Sequence, residues 1–171
     1  MKKFLAVLGS ALMGLMLAIS ANAANPETVT TNVEFVAPIT ITAVSALQFG
    51  LLKTTMAGSD TVTINPDSTW VESASNVAGG TKAAASMTIT SLASTGLTIT
   101  ADTPVNGTYW TLGSFMCKYD GGADTACSSG YNVTSPIGGI ATLLVGAMLT
   151  GIGGAVAAPD NGSFDVTVIY Q

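Results

Sequence analysis

The chain of 171 residues predicts an all-β sandwich, on three observations. Apolar residues recur at almost every second position from Thr28 to Ala43, the runs that follow are short and repeat that alternation, and the last run keeps it to the penultimate residue. A period of two places successive side chains on opposite faces of a strand, so each run offers one apolar face to a core. Turn-forming Gly, Pro, Asn, Asp and Ser separate the runs.

Before the first run, Lys2 and Lys3 precede an apolar stretch that ends in Ala21-Asn22-Ala23. A positive start, an apolar centre and a small-x-small site predict a secretory signal peptide over residues 1–23, removed on export. Residues 24–37 then form an alternating arm and residues 38–171 a sandwich domain. In the ribbon, Val29, Val33, Phe35, Ala37, Ile39, Ile41 and Ala43 share one parity, with threonine on much of the other. Strands usually run about five or six residues, and Pro38 lacks a backbone donor. The ribbon is therefore expected to divide near Pro38, with Leu47-Gln48-Phe49-Gly50 closing its second half.

The elements follow in order. Met56 to Asp60 reads as a turn, Thr61 to Ile64 as a strand with Val62 and Ile64 inward, and Asn65-Pro66-Asp67 as the next turn, followed by a short strand at Trp70 and Val71. Asn76 to Lys82 reads as a loop around Gly79-Gly80. Ala83, Ala85, Met87 and Ile89 alternate and are answered by Leu97, Ile99 and Ala101 across Ser94-Thr95-Gly96, which predicts a hairpin. Asn106-Gly107 marks a tight turn before an aromatic strand from Thr108 to Met116. Ile140 to Thr150 is expected as a buried strand with Gly146 as a bulge or a close approach. Gly151 to Ala158 is a small-residue turn region, and Ser163 to Gln171 is the final strand, with Phe164, Val166, Val168 and Tyr170 on one face. Ile140 to Ile152 is too short, and too interrupted by glycine, to span a membrane as a helix.

Charge narrows the function classes. The chain has five lysines, ten acidic residues, no arginine and no histidine, for a net charge of −5. Nucleic acid is excluded as a partner, since little is available to neutralise phosphate. Charged residues make up 9% of the chain, against about a quarter in a typical domain. A surface so poor in charge suits packing against copies of itself, and equally a surface solvated by Ser and Thr hydroxyls. Cys117 and Cys127, in an exported chain, predict one disulfide closing a loop. Their spacing fits neither a redox pair nor a zinc site, and no histidine completes one, so neither metal nor cofactor is expected. Asp120 and Asp124 in that loop could hold calcium, but read first as an ordinary acidic turn. Asn106, Asn132 and Asn161 begin Asn-x-Ser/Thr triplets, of which the first and third are better explained as Asn-Gly turns.

The alternating arm, the Leu47-Gln48-Phe49-Gly50 element, the Leu143 to Thr150 run and the closing Gly162-Ser163-Phe164-Asp165-Val166-Thr167-Val168-Ile169-Tyr170-Gln171 together resemble the pilin subunits of chaperone-usher fimbriae. The nearest likeness is to the archaic, spore-coat-protein-U-like branch and its uncharacterised secreted relatives. Many archaic pilins carry a cysteine early in the first strand; this chain has none there. The resemblance implies an immunoglobulin-like sandwich that lacks one strand. A periplasmic chaperone fills the groove first and the arm of the next subunit then replaces it, with an outer-membrane usher as the other implied partner. The implied donor positions are Val29, Thr31, Val33, Phe35 and Ala37. Phe164, Val166, Val168 and Tyr170 would border the groove, with Gln171 as the chaperone's anchoring point. The implied function is a structural subunit of a surface filament serving attachment or biofilm formation.

Other classes are weaker. Catalysis at neutral pH usually recruits histidine, which is absent, and no motif surrounds a Ser with Lys53, Lys82 or Lys118. A small outer-membrane barrel is also built of alternating strands, but aromatic residues at 6% are few for two girdles. A self-complete monomeric binding or adhesion module, whose first strand covers its own edge, stays open. Filaments built on a retained hydrophobic N-terminal helix are disfavoured by the cleavage site and the β-patterning after it.

Overall fold

Strands form where an alternating face finds an opposing layer, and the computed structural model places twelve of them in the residues it describes, Val33 and Phe35–Gln171. Residues 1–32 and Glu34 lie outside the described residues, and with them the expected leader and the expected donor positions Val29 and Thr31. Residues from Val36 to Gln171 form one compact unit. Within the described residues there is no helix.

In chain order the strands are β1 (Thr40–Ser45), β2 (Gln48–Leu52), β3 (Thr61–Ile64), β4 (Trp70–Glu72), β5 (Val77–Ala83) and β6 (Ala85–Thr90). They continue with β7 (Gly96–Val105), β8 (Trp110–Tyr119), β9 (Thr125–Ala126), β10 (Tyr131–Thr134), β11 (Ile140–Gly151) and β12 (Ser163–Tyr170). The largest sheet is organised on β11, which pairs with β8 on one side and with β6 and then β3 on the other. β1 extends β6, β4 extends β3 and β9 extends β8. A second sheet runs β10-β7-β12, and β2 pairs with β5. All pairings are antiparallel.

The core lies between the first two sheets. Ile89, Leu143, Val145 and Cys117 from one meet Leu97, Ile99 and Ala101 from the other, all fully buried. Burying an aliphatic side chain of this size contributes about 1.5–3 kcal/mol. A satellite of Met56, Val62 and Leu149 sits with Phe49 and Val77 of β2 and β5. The run from Ile140 is the buried strand its pattern predicts, with Ala141, Leu143, Val145, Ala147 and Leu149 all inward. Gly146 is a close approach, since a Cβ there would run into the Ile64 carbonyl. The bulge belongs instead to β8, where the register against β11 slips between Gly146 and Met148 and Ser114 takes a φ of 50°. That extra residue moves the inward positions from Leu112 to Phe115.

Two expectations are corrected. The predicted hairpin between Ala83–Ile89 and Leu97–Ala101 does not form: β6 pairs with β1 and β11, whereas β7 pairs with β10 and β12. Both runs have one apolar face, and those faces meet across the core. Alternation is the same for strands side by side and strands in opposed layers, so it cannot separate the two. The loop expected at Asn76 to Lys82 is largely strand β5. Its glycines allow a distorted pairing with β2, with Gly80 at φ 78° packed against the Leu51 amide and Gly50 at φ 80° opposite.

Candidate functional site

The final strand places Phe164, Val166, Val168 and Tyr170 half-buried against the core, as their parity predicts. Phe164 packs on Phe115 with ring centroids 4.9 Å apart. On the other face Ile169 is 55% exposed. Among the described residues β12 pairs only with β7.

Backbone parity decides what the other edge presents. The Gln171 amide donates to the Gly96 carbonyl at 3.1 Å, and in an antiparallel ladder bonded and non-bonded pairs alternate. Ile169 and Thr167, opposite Thr98 and Thr100, therefore bond to β7. Val166, Val168 and Tyr170 turn their N–H and C=O groups to the open edge. The residues whose side chains face the core are thus those whose backbone faces outward from the sheet.

β1 forms the matching edge of the other sheet. It pairs only with β6 among the described residues, and all six of its residues are exposed, including Ile41 and Val44. Its N-terminal approach is fastened to the end of β12: the Tyr170 hydroxyl donates to the Ala37 carbonyl at 2.8 Å and accepts from the Leu92 amide at 2.9 Å. At the far end a cleft of about 1210 Å³ opens, with Leu47 and Phe49 on one wall and Ser163 and Phe164 on the other. β1 and β12 therefore run in opposite directions along one side of the sandwich. Leu47, Phe49 and Met87, all only partly buried, give that cleft an apolar floor, and Ile39 packs on the same core. The turn at the cleft mouth is held by the Asp160 carboxylate, which accepts from the Thr108 and Tyr109 amides at 3.0 and 3.2 Å.

The other predicted positions divide. Val33, Phe35 and Ala37 are exposed. Gln171 reaches across β7, its Nε2 donating to Thr98 Oγ1 at 3.2 Å. Cys117 and Cys127 are joined as a buried disulfide, as expected. In their loop Asp124 pairs with Lys118 at 3.5 Å, and no cluster of three potential metal ligands occurs among the described residues. Nearby, the buried Tyr119 hydroxyl has no partner, and burial, helped by Asp120, pushes its phenol above the usual range. The Tyr170 latch and the Asp160 cap were not legible beforehand, because each depends on groups far away in sequence.

A family model described as a domain of unknown function (DUF4402) matches residues 39–170. The comparisons with curated proteins and with solved structures returned no match.

Proposed function

The chain belongs to the DUF4402 family, and from that premise we propose that it is the structural subunit of an extracellular filament, one copy donating its N-terminal arm to the open edge of the next. The observation that carries this reading is β12: a core-facing last strand whose second backbone edge is unpaired among the described residues, beside an exposed β1. Natural sheets usually blunt such edges with charge, proline or a covering segment. Apart from Asp165, β12 has no charged residue and it has no proline. An added strand would satisfy those backbone groups and cover the apolar floor, which is recognition by β-augmentation.

The arm from Ala24 to Ala37 has the alternation such a strand requires. Val29, Thr31, Val33, Phe35 and Ala37 are the donor side chains in this reading. The sandwich is then an incomplete, immunoglobulin-like one, and a periplasmic chaperone and an outer-membrane usher handle the subunit before it reaches the surface. Attachment or biofilm formation is the role such a filament serves.

A second reading has one geometric point in its favour. The described chain enters the sandwich beside Tyr170, at one end of the same edge, so an arm could also fold back onto its own β12. Deleting Ala24 to Val36 separates the two. The truncated subunit is expected to form no filaments and to bind a synthetic peptide of residues 24–37. Normal filaments from the truncated subunit would remove the donor assignment, and a full-length chain that stays monomeric at high concentration would establish the fold-back form.

A further inference from the structure

The hydrogen bonds define two ends of the sandwich. At one end Gly96 lies opposite Thr134, Ile140 opposite Thr90, and the Ser91 amide reaches the Gly139 carbonyl, with Tyr170 holding Ala37 and Leu92 beside them. At the other, Val105 lies opposite Ser163, Trp110 opposite Gly151, and the Ile152 amide reaches the Tyr109 carbonyl. Both ends expose large apolar side chains. Leu92 (39%), Ile137 (89%) and Ile140 (60%) stand at the first, and Val105 (61%), Ile152 (55%) and Val156 (57%) at the second. Segments 90–97 and 133–141, which carry these three side chains, and segment 36–40 beside them contain no charged residue, and the nearest charged turn at that end, Asp120 to Asp124, is set beside Thr142.

We propose that these two ends are complementary docking faces, the Leu92–Ile137–Ile140 end of one copy seating on the Val105–Ile152–Val156 end of the next. The inference rests on the donated-arm reading above. The occupant follows from where the arm is attached. Its last residues join the sandwich at Ala37, which Tyr170 holds beside Leu92 at the first end, so a copy that holds the arm is held within a few residues of that end.

Three apolar side chains a side cannot reach the roughly 1,000 Å² that a free-standing interface needs. Tethering removes that requirement, because a short linker raises the effective concentration of the second contact to about the millimolar range. A contact between two different ends is heterologous. Repeated, it gives an open filament and not a closed dimer, and the apolar ends stay soluble in the subunit because each patch is small.

The test uses full-length filaments and the double variant Ile137→Asp/Ile140→Asp. Both side chains are exposed, so the thermal melt of the subunit and its affinity for the peptide of residues 24–37, measured on the arm-deleted form, should be unchanged. Filament dissociation in urea should accelerate by about tenfold or more, the loss expected when two isoleucines no longer bury their surface. Ile152→Asp alone should accelerate it as well, since it lies on the opposing face. Wild-type dissociation rates in the double variant would overturn the proposal, and a loss confined to the Ile137 end would overturn the pairing of unlike ends. Failure of the peptide to bind the arm-deleted wild type would instead remove the donated-arm reading, and the docking faces with it.

Discussion

Proline at two neighbouring positions of β12 should have opposite consequences. At Val168 the amide points to the open edge, so Val168→Pro removes no bond to β7; proline is tolerated in strands at just such edge positions. What it loses is part of a half-buried valine's packing, about 1 kcal/mol, or roughly 3–6 °C in melting temperature for a domain of this size. At Ile169 the amide donates toward Thr98. Ile169→Pro leaves that carbonyl unpaired, at about 1–3 kcal/mol, and adds a steric conflict with β7, so the melt should fall by about 10 °C or more. Assembly should rank the other way for each folded molecule. Val168→Pro withdraws a ladder bond of about 1 kcal/mol and puts a ring where the incoming strand must come, weakening arm-peptide binding by about tenfold or more. Thermal melts with titration of the peptide into arm-deleted subunit measure both. Equal melts for the two variants would refute the edge parity, and unchanged peptide binding by Val168→Pro would refute the claim that this edge receives the arm.

Three further outcomes are expected. Replacing Cys117 and Cys127 together by alanine should destabilise the subunit by about 2.5–3 kcal/mol on the chain-entropy model, read by urea unfolding, while the β-sheet circular dichroism of the folded form stays the same. Tyr170→Phe should cost about 1–2 kcal/mol by removing the hydroxyl's bonds to Ala37 and Leu92; hydrogen exchange at the Leu92 amide should rise with it. The Tyr119 phenol is held above its ordinary value of 10.0, first by burial and then by Asp120. The unfolded chain therefore releases that proton first, so stability should be flat at neutral pH and fall as pH rises above about 10. Tyr119→Phe should lose that alkaline slope with little change at pH 7, since the hydroxyl has no partner to forfeit.

Much of this architecture was readable from the chain because it is local. Period-two alternation set which side of each strand is apolar, so Val62 and Ile64, the odd positions of β11 and the even positions of β12 all face the core. Turn residues set most boundaries, and two cysteines in an exported-looking chain sufficed for the disulfide. The glycine-rich β5 escaped, because glycines that signal a loop also permit a distorted strand.

What the residue order determined alone, then, is the alternation: which face of a strand is apolar, down to the last strand of a poorly charged chain. Only the tertiary structure decided which strands are neighbours. It sent β6 and β7 to opposite layers, placed a bulge in β8, and left the outer edges of β1 and β12 unpaired among the described residues. The reason is physical. Side-chain periodicity is a property of each strand, whereas pairing is a competition among many strands with the same period, resolved by close approaches such as Gly146 on Ile64 and by long-range bonds such as Tyr170 to Ala37.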